Sequence, residues 1–196
     1  MKRLPIGILG SGKGSNCQAI LERIRSGDLA AEARVVISDA MDAPILDIAR
    51  EFSVPNAYLP PGQFRTRLEP DSENELANML RGAGVELVVL AGFMRVLHAP
   101  MLKAFPRRII NIHPSLLPKF PGLEAWKQAF TAGDKVTGCT IHYVDEKIDH
   151  GDIIAQREVA ILPNDTPESL HARIQIVEHE LYPAVIGQIC RQLSAA

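Results

Sequence analysis

Apolar residues fall along this chain in two alternating rhythms. Short, nearly continuous apolar runs at Leu4 to Leu9, Ala33 to Ile37 and Glu86 to Ala91 (ELVVLA) have the length and branched content of strands buried on both faces. Between them the spacing lengthens to the helical period. Cys17, Ile20, Leu21 and Ile24 share one face of a helix running from Cys17 to Arg25, and Ser26-Gly27 ends it. Ala43 to Phe52 is predicted as a second helix with Pro44 in its first turn, and Ala57 to Leu59 as a brief strand. Ser72 to Leu80 forms a third helix beyond the loop Pro60-Pro61-Gly62. Strands alternating with helices in this way argue for an α/β fold, a Rossmann-like and mostly parallel sheet flanked by helices.

Beyond residue 123 the rhythm changes. Glu124 to Thr131 reads as a helix. Val136 to Val144 and Ile153 to Ile161 read as two β-rich runs joined by the polar turn Asp145 to Asp152, most simply an antiparallel strand pair in the C-terminal half. Thr166 followed by Pro167 caps and opens a last helix. Its apolar stripe is Leu170, Ile174, Val177, Leu181, Val185 and Ile189, and Pro183 is expected to kink or divide it. No repeat, low-complexity tract or long linker interrupts the chain, so one continuous fold is expected.

Composition excludes several classes of function. With 46% apolar and 22% charged residues, a formal net charge of -2 and no Lys/Arg run longer than two, the chain is ordinary for a soluble enzyme and lacks the basic footprint of a nucleic-acid binder. The piece after Met1-Lys2-Arg3 is too short for a signal-peptide core, and no segment approaches the roughly 20 apolar residues of a membrane span. Cys17, Cys139 and Cys190 are odd in number and scattered, which suggests neither a disulfide framework nor a zinc site. A reduced, cytoplasmic protein without metal is expected, as a monomer or a homodimer.

Three segments carry candidate chemistry. The first is Asn111-Ile112-His113-Pro114-Ser115-Leu116-Leu117-Pro118, just after the apolar entry Arg107 to Ile110. Its spacing sets an amide and an imidazole on one side of an extended backbone, and Pro114, Pro118, Pro121 and Gly122 forbid regular structure beyond it. An amide that donates to an oxyanion beside an imidazole that moves a proton suits addition to a carbonyl carbon. The second is Gly10-Ser11-Gly12-Lys13-Gly14-Ser15-Asn16, which fits neither the dinucleotide nor the P-loop pattern. It reads either as a tight strand-to-helix turn or as a cradle for a phosphate monoester, with Ser15 and Asn16 as caps and Lys13 nearby. The third is the acidic turn 145–152, either a solvated turn or, if Asp149 folds back to His113, the partner that orients and charges the imidazole. His98, His142, His150, His171 and His179 show no metal-ligand spacing, although His142 on its strand is placed to line a pocket. Ser115 has no nucleophile elbow around it.

Taken in order, the glycine loop, LAGFMRVL at 90–97, NIHPSLLPKFPG at 111–122, IDHGDII at 148–154 and the closing ARIQIVEHELYP resemble the glycinamide ribonucleotide formyltransferases of purine biosynthesis. The likeness spans nearly the whole chain. It implies one formyltransferase domain over 1–196, with the half up to about residue 110 binding phosphate and the rest completing a folate site. It implies formyl transfer from 10-formyltetrahydrofolate to the amino group of glycinamide ribonucleotide, both small-molecule substrates. Asn111, His113 and Asp149 match the catalytic trio. Gly14, Ser15, Asn16 and Glu178 match the ribonucleotide site, although Glu178 by its position alone reads as a solvated helix edge. Arg67, Met94, Arg95, Val96, Leu97, Asn111 and Val144 match the folate site, with Arg65 an alternative to Arg67 and with Phe93, Met94, Val96 and Leu97 readable as plain core. A formyltetrahydrofolate deformylase shares the trio but carries an extra leading domain, and a methionyl-tRNA formyltransferase adds a basic trailing one. A non-catalytic nucleotide-binding module explains the glycine loop and leaves the trio a coincidence.

Overall fold

The apolar runs become the interior strands of one seven-stranded sheet. In the computed structural model, which describes residues 3–194, the elements are β1 (Leu4–Leu9), α1 (Ser15–Ser26), β2 (Ala31–Ser38), α2 (Pro44–Glu51), β3 (Asn56–Tyr58), α3 (Pro70–Gly82), β4 (Leu87–Leu90), α4 (Ala99–Ala104), β5 (Ile109–His113), α5 (Ala125–Thr131), β6 (Val136–Tyr143), β7 (Ile153–Ala160) and α6 (Pro167–Ser194). Met1 and Lys2, on which part of the leader reading rests, lie outside the described residues.

Strand order is β3-β2-β1-β4-β5-β6-β7. β1 to β5 pair in parallel, and β6 and β7 run antiparallel at one edge. The chain thus has the expected α/β, mostly parallel sheet with an antiparallel pair. Alternate residues of each strand feed two cores. Ile6, Ile8, Val36, Val89 and Ile110 face α1, α2 and α6, whereas Leu9, Ile37, Val88, Leu90 and Ile109 face α3 and α4. Each such side chain contributes about 1.5–3 kcal/mol on burial. The order reverses between β1 and β4, and at such a switch point the loops leaving the carboxyl ends of neighbouring strands part to form a crevice.

Three local readings differ from the sequence expectation. α4 was not anticipated, because six residues starting with Ala99-Pro100 are too few to show a period. α6 continues through Pro183 undivided. Leu181, Val185 and Ile186 are buried on either side of the proline, and the Tyr182 hydroxyl donates to the carbonyls of Leu90 at 3.0 Å and Ile110 at 3.1 Å, so packing holds the helix where propensity would break it. Asn111 and His113 lie within β5 rather than beyond it, while Arg107, expected in the strand, has φ 52° outside it. At the other end of α6 the Thr166 cap is present, its hydroxyl accepting the Ser169 N–H at 3.2 Å.

Candidate functional site

The pleat places Asn111 and His113 on the same face as Ile109, at the carboxyl end of β5. The antiparallel register then sets His142 opposite Asn111 and Thr140 opposite His113. The prolines stiffen the next segment and hydrogen bonds clamp it. The Ser115 hydroxyl donates to Lys119 O at 2.6 Å, and Thr140 donates to Ser115 O at 2.6 Å while accepting the Leu117 N–H at 3.0 Å. Gln156 holds Leu117 O at 2.8 Å. Ser115, fully buried, is thus engaged in shaping the loop and not poised as a nucleophile.

The acidic turn folds back as the Asp149 reading required. Gly151 lies so close to the Tyr143 carbonyl that a Cβ there would sit 1.8 Å from it. Asp145 accepts the Lys147 N–H at 2.9 Å in an Asx turn and pairs with His150 at 3.0 Å. Asp149 takes a left-handed conformation, φ 50°, which Asp tolerates better than most residues. Its Oδ2 then meets His113 Nδ1 at 3.3 Å and accepts the Gly122 N–H at 2.8 Å, while Oδ1 lies 3.7 Å from His142 Nε2.

Protonation follows from these contacts. A carbonyl only accepts, so His142 Nδ1, 2.8 Å from Tyr143 O, carries a hydrogen. In the neutral ring Nε2 accepts from the Asn111 amide at 3.2 Å, which turns the Asn111 nitrogen toward His142 and leaves its second N–H free. His113 Nε2 likewise donates to Phe120 O at 2.9 Å. Burial lowers the His113 pKa, Asp149 and the Phe120 carbonyl raise it, His142 lowers it again, and the net lies below the ordinary 6.5. Asp149 therefore offsets the burial of the imidazole without overcoming it. Burial raises the Asp149 carboxyl, but the approach of the His142 and His113 rings and the Gly122 N–H bond outweigh it, so the group stays below 3.8 and ionised.

The glycine loop lies across the crevice, stitched to the β4 loop. Ser11 N–H donates to Gly92 O at 3.0 Å and Met94 N–H donates to Ser11 Oγ at 2.8 Å. Ser15 and Asn16 are helical residues of α1, not caps. The cap position belongs to Gly14, at φ 77°, with no side-chain bond closing the helix start and no acid in its first turn. A Cβ on Gly14 would lie 2.9 Å from Ile45, so this glycine has a packing reason for its identity as well as a chemical one.

Glu178 is not a solvated edge. It is 4% exposed and accepts the Asn16 amide N–H at 2.8 Å. Burial pushes its carboxyl up to about 7, with the Asn16 bond opposing. A carboxyl raised in the fold holds its proton more tightly there than in the unfolded chain. It therefore favours the fold below its ordinary 4.5, and that advantage disappears as pH climbs to about 7, a change of about 3 kcal/mol. We expect Glu178→Gln to remove this component. Urea unfolding at about pH 5 and about pH 8 checks it, and a variant with the wild-type difference would contradict the assignment.

The segment matched to folate is only partly open. Met94 is 54% exposed, Leu97 is 2% exposed, and Val96 and Val144 are half-buried, so Phe93 and Leu97 read as core. Arg95 is engaged by the protein. Its Nε binds Asp39 at 2.6 Å and Nη1 donates to Phe64 O at 2.6 Å and to Arg65 O, which ties the 64–65 loop to the crevice wall. Arg67 is exposed and lies 4.0 Å over the Phe64 ring. The structure thus brings together Asn111, His113 and Asp149, and separately Asn16 and Glu178. Thr140, Gln156, Gly122 and the Phe120 carbonyl escaped the sequence reading. Only the pairing registers of β5 with β6 and of β6 with β7 expose the first two.

Comparison with known proteins shows the family to which the chain belongs. The Formyl transferase family model matches residues 4–186. The chain is 42% identical over 182 residues to the phosphoribosylglycinamide formyltransferase of Bacillus subtilis, covering 93% of this chain and 92% of that one. It is 40% identical over 181 residues to the protein of the same name from Haemophilus influenzae, covering 92% and 84%. The crystal structure of glycinamide ribonucleotide transformylase 1 from Symbiobacterium toebii superposes with a TM-score of 0.93 at 46% identity, covering 97% of this chain and 89% of that one.

Proposed function

This chain belongs to the formyl transferase family, and from that premise we propose that it moves the formyl group of 10-formyltetrahydrofolate to the amino group of glycinamide ribonucleotide, a step of purine biosynthesis. The observation that carries this reading is the meeting of Asn111, His113 and Asp149 at the end of β5, across the crevice from an uncapped glycine-rich helix start. We read residues 1–196 as one formyltransferase domain. The thiols of Cys17 and Cys139 are buried and free, which suits a reducing compartment, and we place the enzyme in the cytoplasm.

In this reading the amine nitrogen attacks the formyl carbon, and the carbonyl oxygen becomes an oxyanion. The free N–H of Asn111, aimed by His142, stabilises that charge where it develops, and the His113 ring adds to it once it has taken up a proton. The new C–N bond leaves the attacking nitrogen with a proton to lose, and the departing folate nitrogen needs one to leave. His113 begins neutral, so it takes the first proton directly or through a water, and as an imidazolium facing ionised Asp149 it delivers it to the leaving group. Atoms and charge balance without a covalent enzyme intermediate. Gly14, Ser15 and Asn16 hold the phosphate end of the ribonucleotide with Glu178, and Met94, Arg95, Val96, Leu97 and Val144 line the folate side with Arg67 at its tail.

The experiment is a turnover assay with both substrates. Tetrahydrofolate release is expected to require glycinamide ribonucleotide, because the bound amine is the positioned nucleophile and bulk water is not. Release at the same rate with no amine present would replace the transferase by a deformylase, and binding of both ligands without turnover would leave a binding module.

A further inference from the structure

His113, Thr140 and Gln156 stand in one row across the sheet, because β5 pairs His113 with Thr140 and β6 pairs Thr140 with Gln156. Directly paired residues project to the same face. The first two are buried, and Gln156 is exposed on the edge strand. The amide nitrogen of Gln156 has two hydrogens, and it donates to Thr140 Oγ1 at 2.9 Å and to Leu117 O at 2.8 Å. Thr140 Oγ1 also accepts the Leu117 N–H at 3.0 Å. With both lone pairs taken, the Thr140 hydroxyl turns its own hydrogen to Ser115 O at 2.6 Å. The loop after β5 is thereby held at Ser115 O, Leu117 N and Leu117 O. Further along it the Ser115 hydroxyl closes on Lys119 O at 2.6 Å, and Phe120 takes φ 55°, a left-handed conformation that strains an aromatic residue. In that conformation its carbonyl meets His113 Nε2 at 2.9 Å.

A neutral imidazole has one ring hydrogen, and two acceptors compete for it here. Phe120 O engages Nε2 by a hydrogen bond, whereas Asp149, 3.3 Å from Nδ1, acts on the ring through its charge. A carboxylate is ordinarily the stronger acceptor, so a loop free to move would give the hydrogen up to Nδ1. Held in place, the carbonyl keeps it on Nε2 and leaves the lone pair on Nδ1, beside ionised Asp149. We propose that Gln156 is a positioning residue for the proton transfer: through Thr140 and the 115–120 loop it fixes the His113 tautomer whose basic nitrogen is Nδ1. This rests on the reading of His113 as the proton carrier of formyl transfer. A proton lost by the attacking amine then lands on Nδ1, where the imidazolium meets the Asp149 carboxylate, and Nδ1 passes it to the leaving nitrogen. The Nε2 hydrogen stays on Phe120 O throughout. Gln156 itself touches no reacting atom.

Gln156→Met keeps the reach of the side chain and removes both donors from an exposed position, so the fold should stand. Nitrogen NMR of protein carrying labelled histidine reads the tautomer, with the His113 signals identified by their absence in His113→Gln. Above the His113 pKa the wild type should show a protonated Nε2 and a bare Nδ1. In Gln156→Met the two signals should move toward one another as the hydrogen divides between the nitrogens. Its kcat should fall about 10-fold, the equivalent of about one net hydrogen bond, with KM for both substrates unchanged. Thr140→Ser keeps the hydroxyl and should match wild type in both measurements. A wild-type ring with its hydrogen on Nδ1, a Gln156→Met ring with the wild-type signals, a normal kcat, or a loss confined to KM would each overturn the proposal. So would a Thr140→Ser variant that fails as Gln156→Met does. A wild type that shows the expected tautomer but does not formylate glycinamide ribonucleotide would overturn the functional reading instead.

Discussion

Asn111→Ala and His113→Ala each lower turnover by about 100-fold or more at saturating substrates, the scale expected for losing an oxyanion donor or the group that moves the proton. The two variants fail for different reasons. Asn111→Ala deletes the side chain that His142 Nε2 accepts from, together with the free N–H beside it, and leaves the imidazole of His113 in place. His113→Ala keeps the amide and removes the proton carrier. Neither should unfold the protein. Asn111 is half-buried on a strand whose ladder bonds come from the backbone. The Phe120 carbonyl that loses His113 is still approached by the Ser115 hydroxyl at 3.3 Å, so the stability cost is about 1 kcal/mol. Steady-state kcat measured beside thermal unfolding separates the two effects, and near-normal kcat in both variants would remove the chemistry from β5.

Asp149→Asn should lose nearly as much activity, about 100-fold, while folate still binds. The substitution is close to isosteric, and the new amide oxygen can still accept the Gly122 N–H that Asp149 accepts at 2.8 Å, so the 145–152 turn stays docked. What disappears is charge. Asp149 is the leading influence that raises the His113 pKa against burial. Without it the imidazole is harder still to protonate, and the imidazolium formed during transfer has no counter-ion. Single-turnover rates with separately titrated folate affinity check this. A variant that transfers formyl at the wild-type rate would reduce Asp149 to a tether for the proline loop.

Much of this was legible in the chain because period, punctuation and spacing are local. The apolar runs around Val36 and Val89, the helical spacing of Cys17, Ile20, Leu21 and Ile24, the stop at Gly27 and the start at Pro44 report backbone preference and burial without knowledge of distant neighbours. The separation of Asn111 from His113 already put both on one face of a strand, and the motif order along the chain already pointed to the family. Tertiary structure decided what depends on residues far apart in sequence. Glu178 read as solvated because its sequence neighbours say nothing of Asn16, 162 positions away, whose approach buries it and raises its pKa. Pro183 read as a break because propensity knows nothing of the Leu90 and Ile110 carbonyls that hold Tyr182. The protonation of His113 is the clearest case. Sequence nominated Asp149 as the partner that would charge it, but the balance between attraction and desolvation depends on how deeply the ring is enclosed, and only the folded chain encloses it.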